Sequence, residues 1–468
     1  MAQSTETGVN LPLIAAVVGV ATIGGFMFGY DSGVVNGTQE GLRATFGLSD
    51  ATLGVTVSAL LPGCALGAYL AGRLADRWGR RRVMLVAAAL FIVSALASGG
   101  AASALMMIIA RFAAGAAVGA ASVLSPAYIS EVTPARIRGR LSSVQQVMII
   151  TGLTGAFLVN YLLADTAGAS TSAFWLGLPA WRWMYWAQVG PATVFLLSLL
   201  LIPESPRFLV ARGRDDEARA VLARLFGTDV AVQRAAEIRR SLHDERGPVA
   251  ADLVDARTGR IRRIVWVGVG LAVFQQLVGI NVVFYYGAVL WQAVGFSEGD
   301  ALKINVLSGA LSIIACLVAM GLIDRIGRRP LLLIGSVGMT LTLGALVVAF
   351  GTGHFVGGSL QLAPGYGLVA LCSANLYVVF FNLSWGPVMW VMLGEMFPNA
   401  IRGAALAVSG AAQWSANFLI SVSFPVLSAT AGLTLTYSFY AACAALSVWF
   451  VARHVHETRG RELEDMTG

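Results

Sequence analysis

Charged residues are scarce in this chain. Asp, Glu, Lys and Arg make up 12% of the 468 residues and hydrophobic residues 57%, with a mean hydropathy of +0.74. Because soluble domains carry about 25% charged residues, this balance excludes an ordinary soluble enzyme and indicates a protein of the lipid bilayer. The net charge of +7 comes from bases in short loops between apolar runs, a distribution that orients membrane proteins. No nucleic-acid partner is expected.

Cysteine and histidine are also rare, and their positions disfavour several kinds of chemistry. No CxxC pair or Cys/His cluster occurs: each cysteine lies in a separate apolar run, and the histidines lie in loops or the C-terminal tail (Cys64, Cys316, Cys372, Cys443; His243, His354, His454, His456). Disulfide and metal sites are therefore not expected, and a phosphate-binding loop for ATP is missing. We expect neither enzyme activity nor a metal or other cofactor.

Long apolar runs, in contrast, are abundant. A helix of roughly 20 residues crosses about 30 Å of hydrocarbon, and twelve such runs, here called spans 1 to 12, lie near 11–36, 52–72, 83–102, 104–127, 141–163, 183–203, 264–291, 302–323, 330–350, 366–393, 403–425 and 431–452. The N terminus lacks the positive region of a signal peptide, so span 1 is expected to remain. The predicted fold class is an all-α membrane protein with twelve transmembrane helices in two six-helix halves, 1–203 and 264–468.

The segment between the halves, 204–263, is polar. RDDEARAVLARLFG (214–227) places Ala218, Val221, Leu222 and Leu225 on one helix face, and 229–245 has a similar pattern. We predict short cytoplasmic helices in this linker; the alternative is a solvated, unstructured linker.

Arginine clusters mark one side of the membrane. They follow the even-numbered spans, as at Arg77, Arg80, Arg138, Arg325 and Arg402, whereas the other loops are almost free of bases. By the positive-inside rule, both termini are predicted to be cytoplasmic, in a multi-pass protein of the plasma (inner) membrane.

Two loop motifs occur twice in the same order. DRWGRRR (76–82) is echoed by DRIGRRP (324–330), and EVTPARIRG (131–139) by EMFPNAIRG (395–403). This repetition indicates a duplicated six-span unit, an arrangement in which transporters place their site between the halves. We expect Glu131 and Glu395 to pair with the arginines of the neighbouring motif and to act as a latch on the cytoplasmic side; the alternative is a simple interfacial charge.

Asp31 is an acid deep in span 1, within the segment GGFMFGYDSGVVNG (24–37). An unpaired carboxylate at the bilayer centre costs on the order of 3 kcal/mol, so a partner or a cavity is expected. Gly25, Gly29, Gly33 and Gly37 share one helix face and allow close approach of a neighbouring helix. Arg111 in span 4 is the predicted partner; alternatively, it snorkels to the interface.

Amide and tryptophan side chains occur in spans of the second half. Gln275, Gln276 and Asn281 lie in QQLVGIN of span 7, and SWGPVMW (384–390) carries a Gly-Pro break in span 10. Buried amides suit a polyhydroxyl ligand, and Trp390 and Trp414 suit the apolar face of a sugar ring. Amides that bind helices together and tryptophans of an interfacial belt are the alternatives.

These motifs, together with PESPRFL (203–209) and HETRG (456–460), resemble the sugar porter family of the major facilitator superfamily over essentially the whole chain. The resemblance implies a sugar site between the halves, formed by Phe28, Gln146, Gln275, Gln276, Asn281, Tyr285, Gly386, Trp390, Gln413 and Trp414. It also implies that Asp31 and Arg111 form the proton-coupling pair of bacterial and plant symporters. Ser312 and Leu153 depart from the family pattern by removing hydrogen-bonding reach.

The same resemblance implies a cytoplasmic gate of Asp76, Arg77, Arg80, Glu131, Arg138, Glu204, Arg207, Asp324, Arg325, Arg328, Glu395 and Arg402. The predicted function is proton-coupled import of a monosaccharide, a hexose or a pentose, by alternating access in a monomer, with the proton as coupling ion. A passive sugar facilitator, a sugar sensor on a transporter scaffold and a drug:proton antiporter are the alternatives.

Overall fold

The structure, a computed structural model, describes residues 9–244, 253–254, 259–356, 359–398 and 401–459, without the side chains of 135–143, 243–244, 355–356 and 359. Within this part, twelve helical segments are long and apolar enough to cross a membrane. The predicted number of spans is therefore confirmed.

The first half contains eight helices. They are α1 (Leu11–Phe46), which is span 1; α2 (Asp50–Ser58) and α3 (Leu60–Trp78), which form span 2; α4 (Arg80–Gly99), α5 (Ala104–Val132) and α6 (Ala135–Ala167), which are spans 3 to 5; and α7 (Ala180–Ala187) and α8 (Val189–Leu201), which form span 6. A 3-10 turn at Trp175–Gly177 precedes α7.

The linker also folds into helices, α9 (Pro206–Ala211), α10 (Asp215–Phe226) and α11 (Thr228–Asp244). Ala218, Leu222 and Leu225 of α10 are buried, as their shared face predicts. Leu222 and Leu225 pack, with part of α11, against the hydrophobic core of the first half, whereas Ala218 packs against α9. The predicted linker helices are present. Their apolar faces are stabilised by packing against other hydrophobic residues.

The second half repeats the arrangement. Its helices are α12 (Arg263–Leu277) and α13 (Ile280–Ala293), which form span 7; α14 (Glu298–Ile326) and α15 (Arg328–Gly351), spans 8 and 9; α16 (Tyr366–Leu383) and α17 (Trp385–Met396), which form span 10; and α18 (Arg402–Thr430) and α19 (Gly432–His454), spans 11 and 12. An antiparallel hairpin, β1 (His354–Val356) and β2 (Ser359–Gln361), joins spans 9 and 10.

The two ends of the bundle differ in composition. The loops that follow the even-numbered spans lie at one end, here called the arginine-rich end, and the remaining loops lie at the opposite end. The halves meet through contacts of α1 with α13, α6 with α14, and α2 with α18.

The glycine face of α1 is in close contact with another helix, as the four-residue spacing predicts, and the structure shows that this helix is α6. Positions 25, 29, 33 and 37 lie against Gln145, Ile149, Leu153 and Asn160, respectively. At Gly29 an added methyl group would overlap the Ile149 carbonyl oxygen. The two backbones therefore approach so closely that only glycine fits there.

Gly29→Ala is expected to destabilise the protein, because overpacking a tight contact costs about 1–3 kcal/mol, more than the gain of up to about 1 kcal/mol from better helix propensity. Gly19→Ala in the same helix is the matched control, since nothing lies within 4 Å of its new methyl group. The measurement is the apparent melting temperature in detergent. Equal melting temperatures of the two variants would show that the α1–α6 contact is not limiting.

Candidate functional site

A buried ion pair joins span 1 to span 4. Nη1 of Arg111 donates to Oδ2 of Asp31 at 3.0 Å and to the Asp31 backbone oxygen at 3.2 Å. Asp31 is 2% and Arg111 1% exposed. The predicted contact is present, and the snorkelling alternative is wrong because the guanidinium is fully enclosed. The contact removes much of the cost of burying either charge alone.

Gln188, which the sequence analysis missed, completes this group. Its Nε2 donates to Oδ1 of Asp31 at 3.1 Å, and the side chain is 0% exposed. Gln188 lies at the junction of α7 and α8, three residues before Pro191, whose missing N–H weakens the helix there. The sequence does contain a pattern that points to Gln188: in AQVGPA (187–192), a polar residue lies close to a Gly-Pro step within an apolar run.

A chain of amides fills the region around the break in span 7. Oε1 of Gln275 accepts from Nε2 of Gln413 at 2.7 Å and from Nε2 of Gln276 at 3.1 Å, while Nδ2 of Asn281 donates to Oε1 of Gln276 at 2.5 Å. Gln275 also donates to the Trp385 carbonyl at 3.0 Å. The structure thus brings together four of the predicted sugar-site residues from spans 7 and 11.

The break itself was not predicted. Gly279 has a left-handed backbone with φ 83° between α12 and α13, and the Tyr377 hydroxyl donates to the freed Val278 carbonyl at 2.7 Å. The break brings Asn281 at the start of α13 back to Gln276 at the end of α12. A glycine between two apolar residues in a span was its only sequence signal.

The predicted break in span 10 is present, at Ser384 between α16 and α17. Gly386 is buried and Trp390 is 40% exposed. Asn382 donates to Oγ of Ser312 at 3.2 Å, so Ser312 retains a polar role in this region.

Aromatic side chains approach each other across the halves. The rings of Phe28 in span 1 and Trp414 in span 11 are 6.0 Å apart between centroids. Tyr285 is buried in α13, and Gln146 is half-buried in span 5. Of the remaining predicted sugar-site residues, Phe28 and Trp414 thus meet across the interface between the halves.

Asn36 forms a second link between the halves, toward the opposite end. Its Nδ2 donates to the Phe284 carbonyl at 2.7 Å, and its Oδ1 accepts from the backbone N–H of Ala288 at 3.1 Å and from Nδ2 of Asn305 at 2.8 Å. Gln39, one turn further, donates to the Tyr285 carbonyl. This amide clasp, which the sequence analysis also missed, fixes span 1 to α13.

Charged clusters occupy the arginine-rich end of each half. In the first half, Arg80 pairs with Glu131 at 3.3 Å and with Asp76 at 3.0 Å. Oε1 of Glu204 accepts from the backbone N–H of Arg81 at 3.1 Å, and the Ser205 hydroxyl donates to Glu131.

The second half has a matching cluster. Arg328 pairs with Glu395 at 2.8 Å and with Asp324 at 3.1 Å, and the Thr458 hydroxyl donates to Glu395 at 2.6 Å. The predicted pairing of each glutamate with a motif arginine is present, and each of these pairs lies within one half.

Glu457 is the counterpart of Glu204. Burial raises the pKa of the Glu457 carboxyl, but hydrogen bonds from the backbone N–H groups of Arg459, Arg328, Arg329 and Thr458 outweigh it and hold the pKa below its usual value. Ser205, Glu457 and Thr458 were missed, although Glu-Ser after span 6 and Glu-Thr after span 12 repeat the same acid–hydroxyl pair.

The other predicted gate residues have less specific surroundings. Arg402 donates to the Phe397 carbonyl at 3.3 Å, and the carbonyls of Arg77 and Arg325 accept from Arg212 and Arg459. Arg207 is half-buried. The side chain of Arg138 lies outside the described residues.

Comparison with known proteins gives a consistent result. A family model described as "Sugar (and other) transporter" matches residues 17–468. The chain is 46% identical to the glucose transport protein of Synechocystis sp., over 99% of this chain and 98% of that protein. It is 37% identical to the D-xylose-proton symporter of Escherichia coli, over 98% and 96% of the two chains.

Solved structures of the xylose transporter XylE from E. coli are also similar. A partially occluded inward-open form aligns with a TM-score of 0.82 and 36% identity, covering 96% of this chain and all of the other. The form bound to 6-bromo-6-deoxy-D-glucose aligns with a TM-score of 0.77, covering 98% and 99% of the two chains.

Proposed function

This chain belongs to the family of sugar (and other) transporters, and we propose that it imports a monosaccharide, a hexose or a pentose, together with a proton. It is an integral multi-pass membrane transporter, not an enzyme. The observation that carries the proposal is the Asp31–Arg111 pair, 3.0 Å apart and almost fully enclosed within apolar spans. Proton coupling needs a group whose charge changes during the cycle, and a buried carboxylate beside a permanent cation supplies one.

Protonation at Asp31 alters the balance of charge at this pair. Arg111 favours the ionised acid, so proton binding is expected to coincide with a weakening of the pair or with occlusion of the site. The relative that is a D-xylose-proton symporter supports coupling in this chain. The second candidate function is a passive sugar facilitator, in which Asp31 is structural; a sugar sensor is a more remote one.

The sugar site is proposed at the amide chain of spans 7 and 11, with Phe28, Gln146, Tyr285, Gly386, Trp390 and Trp414 around it. Gln413 retains a buried Oε1 without a hydrogen-bond partner among the described residues. A sugar hydroxyl is both donor and acceptor and satisfies such an atom. The amide chain, rather than a single residue, therefore matches the several hydroxyl groups of a monosaccharide.

The halves 1–203 and 264–468 are proposed to move against each other around this site, with 204–263 as the linker between them. The amide clasp of Asn36 closes the opposite end, which is assigned to the outside. The charged clusters at the arginine-rich end are proposed to form a cytoplasmic gate, in which they keep the loops of each half rigid while the halves move apart. The protein is proposed to act as a monomer in the plasma (inner) membrane.

Orientation is tested by cysteine labelling in a background without native cysteines. Thr166→Cys at the opposite end and Asp229→Cys in the linker are both exposed positions. An impermeant reagent added to intact cells should label only the first, and permeabilised cells should be labelled at both. Labelling of Asp229→Cys alone in intact cells would place the linker outside and overturn the assignment.

Gln276→Ala is expected to weaken sugar binding by about 1–3 kcal/mol, because buried polar partners are left unsatisfied. Gln233→Ala, at an exposed glutamine of α11 that bonds Glu237, is the control. Binding of glucose, galactose, xylose and myo-inositol to purified protein is measured by calorimetry. If the best ligand binds the variant as tightly as wild type, the sugar site lies elsewhere.

Asp31→Asn is the test of proton coupling. The variant cannot gain or lose a proton, so it should exchange sugar in counterflow but not concentrate it. A potential of 100 mV is worth about 2.3 kcal/mol per charge moved, or roughly fifty-fold accumulation, and this factor should be lost. The measurement is uphill uptake in proteoliposomes under an inward proton gradient.

Asp50→Asn is the matched control, because Asp50 is an exposed acid that also pairs with an arginine, Arg43. It should accumulate sugar like wild type. Accumulation by Asp31→Asn would rule out its coupling role. A wild-type protein that only equilibrates sugar would establish the facilitator.

A further inference from the structure

We propose that Gln188 is a positioning residue that gives the Asp31 carboxyl a hydrogen-bond partner in both of its protonation states. The inference rests on the proposed function, because it assumes that Asp31 binds and releases the coupling proton. It adds an amide in span 6 to a pair that the sequence places in spans 1 and 4.

The geometry divides the carboxylate between two partners. Arg111 occupies Oδ2, and Nε2 of Gln188 donates to Oδ1 at 3.1 Å. The backbone of Gln188 is anchored, since its N–H donates to the Tyr185 carbonyl at 3.1 Å. Oδ1 is therefore the oxygen that is free of the guanidinium and can take a proton without displacing it.

The other end of the amide is unused. Oε1 of Gln188 is buried without a hydrogen-bond partner in the part of the chain that the structure describes. A glutamine that only tied helices together would be expected to satisfy both ends, as most buried polar groups do. Its free acceptor is located within the same side chain that contacts the coupling acid.

A carboxyl that binds and releases a proton needs a neighbour that can both donate and accept a hydrogen bond. An ionised carboxylate only accepts hydrogen bonds, whereas a protonated one needs an acceptor for its O–H. The terminal torsion of glutamine has two nearly equivalent settings, so a half-turn replaces the N–H donor by Oε1. A hydronium ion gives its proton to a lone pair of Oδ1: one O–H bond of the hydronium breaks, one O–H bond forms on Asp31, and neutral water leaves. The new O–H then donates to Oε1 of Gln188.

Other charged and titratable groups surround Asp31. Arg111 from span 4, Cys64 from span 2 and Tyr185 from span 6 interact electrostatically with Asp31, and Tyr285 from span 7 does so with Arg111. Arginine stays charged, and phenols and buried thiols stay neutral, between about pH 5 and 8. These neighbours therefore keep their charge in that range, and a midpoint that changes with the residue at position 188 reports on the carboxyl that Gln188 contacts.

The test is the pH midpoint of uphill sugar uptake in proteoliposomes. Gln188→Met keeps the shape but removes donor and acceptor. Because a hydrogen bond to a charged group is about twice as strong as a neutral one, the ionised acid loses more, and the midpoint should rise by about one pH unit, a tenfold change in proton affinity. Gln188→Glu places a second carboxyl group beside Oδ1 of Asp31. The two carboxyl groups should share a proton, and the pH midpoint of uptake should rise further.

A merely structural role would lower uptake at every pH and leave the midpoint unchanged. Gln233→Met in α11 is the control for the substitution itself. In the Asp31→Asn background, Gln188→Met should leave the pH dependence of counterflow unchanged, because no proton is bound there.

The outcomes separate the two proposals. Accumulation by Asp31→Asn would overturn the coupling function. Loss of accumulation in Asp31→Asn, with wild-type midpoints in a folded Gln188→Met or Gln188→Glu, would overturn the role of Gln188 alone. Either Gln188 variant suffices if the other does not fold.

Discussion

The fold depends on how it accommodates one ion pair away from water. Removing a carboxylate and a guanidinium from water is costly, and their mutual attraction repays the cost only with good geometry and further hydrogen bonds. Asp31 obtains both, from Arg111 on one oxygen and Gln188 on the other. The three side chains come from spans 1, 4 and 6, so the pair also fixes the internal packing of the first half. A change in the protonation of Asp31 would therefore alter contacts between three helices.

The second half carries its chain of amide side chains on spans 7 and 11. Spans 7 and 10 are the repeats of spans 1 and 4, and both are broken, at Gly279 and at Ser384. Broken helices expose backbone groups that are tolerated only where they face protein or a cavity. Gln275 uses the Trp385 carbonyl and Tyr377 the Val278 carbonyl. The duplicated unit thus carries a buried ion pair in one half and a chain of neutral, hydrogen-bonded amides in the other.

The ends of the bundle are connected in different ways. At the arginine-rich end, each half ties its own loops together through a glutamate, an arginine and a hydroxyl, as in Arg328, Glu395 and Thr458. At the opposite end, Asn36 bonds directly to the other half. Links within a half keep it rigid while it moves, whereas links between halves must break when the transporter turns over. Hydrogen bonds of side-chain amides suit links that must break, because the net contribution of one such bond to stability is only about 1 kcal/mol.

The sequence by itself predicted the number of spans, the duplication, a close helix contact on the glycine face of α1, the Asp31–Arg111 contact and the pairing of each motif glutamate with an arginine. All of these follow from patterns that are strong along the chain, namely apolar length, repeated motifs, helical spacing and the cost of a lone buried charge. Only the tertiary structure decided that Gln188 meets Asp31, that Gly279 breaks span 7, and that Asn36 joins the halves. A single amide or glycine in an apolar run is compatible with many partners. Which one it meets depends on how distant helices pack, and local sequence does not carry that information.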